Sequence, residues 1–376
     1  MPKLSIVMPS MNEEKTIGIC IEKAKRVFKR CHLDGEIIVV DNSSDMTPDI
    51  AASMGAKVIR SLAGYGNAYL AGLQNATGDY IAIADSDNTY DLEELTGFIE
   101  YLVKGEADFV IGSRLKGNIQ KGAMPWLHQY IGNPILTWML NQAFRTSISD
   151  AHCGMRAFTK EALQKMNLKT HGMEFASEMV IEAAYNDLKI KEVPISYHVR
   201  YAPSKLRSFH DGWRHVRFMM LYRPLTFMFV PGFLVLLIGF LLTVLTLFRG
   251  NVVETRLHSF ILGGMLLVIG GQALATGSYM KAYGLIHGIY HNRDDKLKKL
   301  LSYHSLEREL LIGAILLIMS FILGIKIIYA WIGTGYGSLA EIETAIVALV
   351  LAALGLQMIF SSMFLSVMLL DTNIDR

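Results

Sequence analysis

The stretch Tyr80-Ile-Ala-Ile-Ala-Asp-Ser-Asp-Asn-Thr89 joins five residues of apolar or aromatic character to five polar ones, two of them acids. Such a run without polar alternation reads as a strand covered on both faces, Tyr80 to Ala84, ended by turn-forming residues. Leu4 to Met8 repeats the pattern and is followed by Pro9-Ser10-Met11-Asn12-Glu13-Glu14. Glu36 to Val40 repeats it again before Asp41-Asn42-Ser43-Ser44-Asp45. Further strands are expected over Lys57 to Arg60, Phe109 to Gly112 and Lys191 to Ile195. Helical patterns lie between them over Glu13 to Lys29, Asn67 to Asn75, Leu92 to Val103 and Glu174 to Asn186. Buried strands alternating with helices imply an α/β domain with a mainly parallel sheet covered on both faces.

In such a sheet, ligands bind beyond the carboxyl ends of the strands, where the three polar clusters arrive. Each cluster alone has a structural reading: Asn12 or Ser44 can cap a helix, and Asp41 can end a strand in a turn. Asp85 and Asp87 stand two residues apart at a strand end, so both can reach one hard divalent cation that keeps other positions open for phosphate oxygens. Gly64-Tyr65-Gly66-Asn67-Ala68-Tyr69 invites comparison with a dinucleotide fingerprint. It has Tyr69 at the last glycine position and does not follow the first strand, which excludes a Rossmann dehydrogenase. It can be a phosphate-approaching turn or a plain turn.

Composition shows that this domain is only part of the chain. Of 376 residues, 52% are hydrophobic and 19% charged, against about 45–50% and about 25% in ordinary globular domains. The excess is concentrated: Leu225 to Phe248 has no charged side chain over 24 positions, enough to cross a hydrocarbon core of about 30 Å. Three more spans are expected at about 260–280, 310–332 and 345–370. The loop between the second and third carries Lys281, Arg293, Lys296, Lys298, Lys299 and Arg308, whereas the opposite connections carry Arg249, Arg256 and Lys326. The excess of cations places the N-terminal domain, 1–204, and the tail, 371–376, in the cytoplasm. Between domain and spans, 205–224 alternates Phe209, Trp213, Val216 and Met220 with Arg207, Arg214 and Arg217. It reads as a basic amphipathic helix in the headgroup plane or, alternatively, as a helix packed on the domain.

Net charge is +2, too balanced for a nucleic-acid binder. The three cysteines, Cys20, Cys31 and Cys153, form neither a disulfide framework nor paired zinc ligands, as expected of a reducing compartment. The N-terminus lacks the charged region and long apolar run of a signal peptide, so the N-terminal part is expected not to be secreted.

Ser5-Ile-Val-Met-Pro-Ser-Met-Asn-Glu-Glu14, Val39-Val-Asp-Asn-Ser-Ser44, Ala84-Asp-Ser-Asp-Asn-Thr-Tyr-Asp91 and Ile111-Gly-Ser-Arg114 together resemble the family 2 glycosyltransferases of GT-A fold over residues 1–220. Asp150-Ala-His-Cys-Gly-Met-Arg156, Arg200-Tyr-Ala-Pro-Ser-Lys205 and the basic helix are similar to the polyprenyl-phosphate branch, the dolichyl-phosphate mannose and glucose synthases. The resemblance implies that Pro9, Ser10, Asn12, Glu13, Asp41, Asn42, Gly64, Gly66, Asp85 and Ser86 hold the nucleotide sugar. It implies that Asp85, Asp87 and Thr89 hold Mg2+ or Mn2+. Arg114, Arg156, Arg200, Ser204 and Lys205 would face phosphates, with Glu178 offered as a sugar or acceptor contact; Asp87, Arg114, Arg200 and Lys205 would carry catalysis. The sequence departs from the family pattern at Asn42, where a second acid is usual, at Tyr65, where lysine is common, and at Thr89, which aligns with a metal-assisting glutamine.

The implied reaction is inverting transfer of a hexose from a nucleotide sugar to polyprenyl phosphate. UDP-glucose is expected from the Asp-Asn-Ser-Ser and Gly-Tyr-Gly-Asn-Ala variants, with GDP-mannose next. A phosphate monoester has a second pKa of about 6, so this acceptor needs no strong base. Asp150 and Arg156 are alternatively expected as a structural ion pair, and His287 with His291 as interfacial loop residues. A processive polysaccharide synthase would carry Gln-x-x-Arg-Trp, which is absent from the sequence. A silent scaffold or lipid-carrier translocation component would not need Asp85 and Asp87. Four spans exceed what anchoring requires and could shape a groove for the lipid chain, assist lipid movement or assemble a homo-oligomer.

Overall fold

The computed structural model describes residues 3–201, 208–248, 256–290, 303–337 and 341–369. The chain forms two compact units, Met1–Met219 and Met220–Arg376. Ser204 and Lys205, as well as Arg207, Arg249, His291 and the cations from Arg293 to Lys299, lie outside the described residues.

In the first unit, β1 (Lys3–Ser10), β2 (Asp34–Asp41), β3 (Lys57–Arg60), β4 (Tyr80–Ile83), β5 (Phe109–Ile119), β6 (Arg156–Thr159) and β7 (Ile190–Tyr197) make one sheet of order β3-β2-β1-β4-β6-β5-β7. β1 pairs in parallel with β2 and β4, and β2 with β3. β6 runs antiparallel between β4 and β5, and β7 returns parallel to β5. This is the mostly parallel, mixed sheet of a GT-A fold. The six strands expected from sequence are present, with β5 extending seven residues beyond Gly112. β6 was not expected: it has only four residues, Arg-Ala-Phe-Thr, and begins at the last residue of the Asp150–Arg156 motif.

The helices α1 (Ile17–Cys31), α2 (Thr47–Ser53), α3 (Tyr65–Asn75), α4 (Leu95–Val103), α5 (Asn133–Phe144), α6 (Lys160–Lys165) and α7 (Phe175–Tyr185) connect the strands. Their apolar periodicity does the docking: α1 buries Ile17, Cys20, Ile21, Ala24 and Val27, a one-sided stripe. β1 is covered on both faces, with Leu4, Ile6, Val7 and Met8 all fully buried. Removing water from such strands contributes about 1.5–3 kcal/mol per large side chain, which fixes the carboxyl ends that carry the polar clusters.

Helix α8 (Ser208–Tyr222) begins in the first unit and ends in the second. In its first part His215, Phe218 and Met219 are buried, whereas Phe209 and Trp213 are exposed. Packing on the domain and an outward apolar edge therefore coexist on one helix.

The second unit holds α9 (Val230–Phe248), α10 (Leu257–Ile286), α11 (Tyr303–Gly333) and α12 (Ile342–Leu369). Four helices long and apolar enough to cross a membrane run over Leu225–Phe248, Leu257–Ile286, Glu307–Gly333 and Ile342–Met368. The chain is a multi-pass membrane protein. Glycines let these helices approach backbone to backbone: a Cβ on Gly313 would meet the Gly355 carbonyl at 2.8 Å, and the reverse holds for Gly355.

Candidate active site

The parallel register aligns Ser10 with Asp41 at the ends of β1 and β2, and β4 ends beside β1, so the three clusters converge. The loops are laced together. The backbone N–H of Asn12, which sits in the left-handed region at φ 56°, donates to Ser43 Oγ at 2.7 Å, and its side-chain oxygen accepts from Ser44 N–H at 2.9 Å. Asn42 N–H donates to the Ser10 carbonyl, and Ser86 Oγ to the Pro9 carbonyl. Ser10 Oγ is buried there without a hydrogen-bond partner among the described residues. A buried unsatisfied hydroxyl is costly unless something else satisfies it, and an oxygen-rich ligand would do so.

Asp41 is fully buried; its carboxylate accepts from Ser43 N–H and Oγ–H and faces the Arg60 guanidinium at 3.3 Å. It organises the second cluster from beneath.

Asp85 and Asp87 follow β4. The Tyr69 hydroxyl donates to Asp85 Oδ1 at 3.2 Å. Burial, reinforced by the negative charge of Asp87, pushes the Asp85 carboxyl up to about 6, against the Tyr69 hydrogen bond and the Arg200 charge. Thr89 donates to Asp87 Oδ1 from its N–H at 3.0 Å and its hydroxyl at 2.6 Å. Thr89 thus orients Asp87, which differs from the expectation that it faces a cation itself. Arg200 lies between two acids: its Nη2 donates to Glu13 Oε1 at 2.9 Å, and its Nε stands 3.2 Å from Asp87 Oδ2. Arg200 also lines a cavity of about 420 Å³ with Lys23, Asn88, Gln120, His198, Val199 and Tyr201.

Two carboxylates with an orphan hydroxyl nearby fit a hard divalent cation completed by substrate oxygens and water. Among the described residues no group of three or more His, Cys, Asp or Glu forms a closed protein cage.

Gly154 was not expected at this site and is essential to its shape. A Cβ there would stand 2.9 Å from Asp85 Oδ2 and 3.2 Å from the hydroxyls of both Tyr65 and Tyr90. Its N–H donates to the Tyr90 hydroxyl at 2.9 Å. Burial raises the Tyr65, Tyr69 and Tyr90 phenols well above their ordinary range, so all three remain neutral around Asp85. The aromatic at 65 therefore supplies a hydroxyl next to an acid.

Four expectations are corrected. Asp150 pairs with Arg114, not Arg156: Arg114 Nε and Nη2 donate to its two oxygens at 2.7 and 2.9 Å, and the guanidinium lies 5.3 Å from the Tyr197 ring centre. Arg156 is 1% exposed, and its guanidinium donates to the carbonyls of Cys153, Ala176 and Ala151, so it clamps the loop and does not reach a phosphate. Glu178 is equally buried and accepts from Lys169 N–H, Thr170 N–H and the Thr170 hydroxyl, which removes it as a sugar contact. The loop that it holds explains the glycines: a Cβ on Gly66 would meet the Thr170 carbonyl oxygen at 2.2 Å, and one on Gly64, at φ 132°, the His171 carbonyl at 2.7 Å. Gly64 and Gly66 allow backbone packing, and no phosphate approach is needed to account for them.

His152, also in the 150–156 loop, is half-buried and packs on the buried His215 of α8, their ring centres 4.4 Å apart. The Ser177 hydroxyl bonds His215 Nδ1 at 2.8 Å. Burial lowers both, His215 to about 4, so the pair is neutral at physiological pH.

Comparison with known proteins agrees with this architecture. The Glycosyl transferase family 2 signature matches residues 5–166, and the Glycosyltransferase family 2 C-terminal transmembrane region matches 278–369. The low-salt glycan biosynthesis hexosyltransferase Agl6 of Haloferax volcanii is 41% identical over 97% of this chain and 88% of its own. A dolichyl-phosphate hexose transferase of the same organism is 34% identical over 56% of this chain and 89% of its own. Among solved structures, a mycobacterial protein of 19% identity superposes with TM-score 0.50 over 59% of this chain and 74% of its own, a likeness of fold alone. Two family signatures in order and a relative aligned along nearly the whole chain leave one assignment: this protein belongs to glycosyltransferase family 2, as a membrane-embedded member with the family's C-terminal transmembrane region.

Proposed function

We propose that the protein transfers a hexose, with inversion, from UDP-glucose to a polyprenyl phosphate of the dolichyl type at the cytoplasmic membrane face. The observation that carries this reading is the meeting of Glu13, Asp85, Asp87 and Arg200 at the carboxyl ends of β1 and β4, two carboxylates of which suit a divalent cation and a diphosphate. The two Haloferax relatives, a hexosyltransferase and a dolichyl-phosphate hexose transferase, support the sugar class and the acceptor.

Mg2+ or Mn2+ held by Asp85 and Asp87 would supply Lewis-acid stabilisation of the departing diphosphate. The chain's own groups do the rest. The Pro9–Glu13 and Asp41–Ser44 loops, cross-linked by Asn12, Ser43 and Ser44, present a preorganised rim to the nucleoside. Arg200 carries its charge to where two anionic substrates must meet and offsets their repulsion. Arg114, held bidentate by Asp150 and covered by Tyr197, is a rigid cation nearby. The acceptor phosphate is largely ionised near neutrality, so attack on the anomeric carbon requires no dedicated base. Lys205 and Ser204 follow Arg200 in sequence and are proposed to hold that phosphate.

The test is transfer of radiolabelled sugar by the purified full chain to polyprenyl phosphate, across UDP- and GDP-sugars, with and without Mg2+ or Mn2+. Lipid-linked glucose formed from UDP-glucose in the presence of metal is expected. Product from GDP-mannose alone would overturn the donor, and no lipid product from any donor would overturn the reading.

A further inference from the structure

The proposed reaction leaves one polar cluster of the catalytic unit unused: His152 in the 150–156 loop, Ser177 on α7 and His215 on α8. Ser177 is fully buried and His215 is 6% exposed. The Ser177 hydroxyl lies 2.8 Å from His215 Nδ1 and 3.4 Å from His152 Nε2, and the two rings meet edge to face at 78°. His152 Nδ1 is buried without a hydrogen-bond partner among the described residues. A neutral imidazole carries one N–H, and its contacts decide which nitrogen holds it. An N–H at His152 Nδ1 would be an orphaned buried donor, so the hydrogen sits on Nε2 and is donated to Ser177 Oγ. Ser177 then donates its own hydrogen to His215 Nδ1. This order matches each donor to an acceptor and requires both rings to be neutral.

We propose that His215, acting through Ser177 and His152, is a positioning residue that holds the 150–156 loop in its working place, and that it does so only while its ring is neutral. The proposal rests on the transferase reading above, because the loop matters through the residues on either side of His152. Two positions before it, Asp150 grips Arg114 with both oxygens. Two positions after it, Gly154 leaves room for Asp85 and donates to the Tyr90 hydroxyl. The same end of α7 carries two further ties: the Ala176 carbonyl accepts from Arg156 at 2.7 Å, and Glu174 meets Arg214 of α8 at 2.9 Å. Ser177 is the point where loop and α8 share one hydroxyl.

A proton on His215 would break this order. Nδ1 would become a donor aimed at Ser177 Oγ, which already accepts from His152, and the Ser177 hydrogen would lose its acceptor. The new charge would face Arg156 and Arg214, with Glu174 and Asp211 opposing them. A charge on His152 would face Arg114, Arg156 and His215. Glu174 is engaged by Arg214 and Asp150 by Arg114, whereas Arg156, near both rings, has backbone carbonyls for partners. Burial is the largest effect and holds His215 at about 4, so the ordered chain of bonds is the state at neutrality.

The test varies the side chain at 215 in the purified full chain. His215→Asn puts an amide oxygen close to the place of Nδ1, accepts from Ser177 and does not titrate, whereas His215→Leu fills the space better and accepts nothing. Near neutrality, kcat for sugar transfer is expected to fall about tenfold in His215→Leu and Ser177→Ala, with the donor KM within about twofold, and to recover to about half of wild type in His215→Asn. Packing alone would give the reverse order, leucine above asparagine, and that result would overturn the proposal. Hydrogen–deuterium exchange of the 150–156 loop, corrected for intrinsic rate, needs no sugar donor, so its result stands apart from that of the transferase assay. Protection of the loop is expected to drop severalfold in His215→Leu near neutrality. It should also drop in wild type, but not in His215→Asn, between about pH 6 and about pH 4. Equal loop protection in His215→Leu and wild type near neutrality, or acid loss in His215→Asn at the same pH as wild type, would overturn it. Strand β1 is the reference: its protection should stay constant, and a loss spread equally over β1 would be unfolding and would count against the proposal.

Discussion

Acidifying the protein from about pH 7 to about pH 5 should weaken its affinity for Mn2+ about tenfold, because Asp85 takes up a proton across that interval. Burial and the neighbouring Asp87 raise this carboxyl from 3.8 to about 6. With that value, about nine tenths is ionised at pH 7 and about one tenth at pH 5. The same shift has a consequence for stability. A folded-state pKa above the unfolded one means that the folded protein binds the proton more tightly, so stability is gained as pH falls through about 6 and the gain is complete below the unfolded value. Two units correspond to about 3 kcal/mol. His215 works the other way: burial depresses it from 6.5 to about 4, so its contribution is present at neutrality and is lost as pH falls through that window. Wild-type melting alone therefore cannot isolate the carboxyl, but comparison with Asp85→Asn can, since both proteins share the histidine. Metal-free, detergent-solubilised Asp85→Asn should be more stable than wild type by about 3 kcal/mol near pH 7, the two converging below about pH 4. Mn2+ titration by electron paramagnetic resonance at both pH values gives the affinity. An affinity that is flat from pH 7 to pH 5, or a variant less stable than wild type at neutrality, would refute the reasoning.

Asp87→Ala is expected to abolish sugar transfer while the protein stays folded and membrane-bound; near-normal activity would remove Asp87 from the site. Arg200→Ala should lower transfer yet raise Mn2+ affinity severalfold without nucleotide, since it frees Asp87 and Glu13 from a competing cation, and an unchanged affinity would speak against the contact at 3.2 Å. Asp150→Ala leaves Arg114 buried without its counter-ion and should cost about 3–5 kcal/mol in thermal unfolding. Gly154→Ala places a methyl 2.9 Å from Asp85 Oδ2, so weakened Mn2+ binding with a loss of about 1–3 kcal/mol is expected, and wild-type binding would show that the tyrosine cluster yields.

What could be read in the sequence was whatever one segment determines by itself. Leu4 to Met8 and Tyr80 to Ala84 announce buried strands because each is apolar throughout, and a parallel sheet then sends the residues after them to one edge. That logic brought Glu13 and Asp87 to the same site without any knowledge of their partners. It could not supply Arg200, 187 residues from Glu13, as the cation between them; the family resemblance pointed to Arg200 as a catalytic residue facing phosphates, not as the partner of these acids. The same limit explains the mistaken pairing of Asp150. Arg156, six residues away, is the neighbour in sequence, but β6 turns back antiparallel between β4 and β5 and carries Arg156 inward to three backbone carbonyls. Arg114, 36 residues away on the adjacent β5, is left to face the acid. Glu178 follows the same rule: nothing in its helix reveals that a distant loop has two N–H groups and a hydroxyl to satisfy. Gly154 was invisible for a further reason, since a glycine in a loop motif suggests a turn, and only the positions of Asp85, Tyr65 and Tyr90 show that its missing Cβ is what leaves room for the acid. Local pattern therefore locates a site of this fold, whereas which of its charges are free to meet substrate is decided by contacts between segments that the pattern treats as separate.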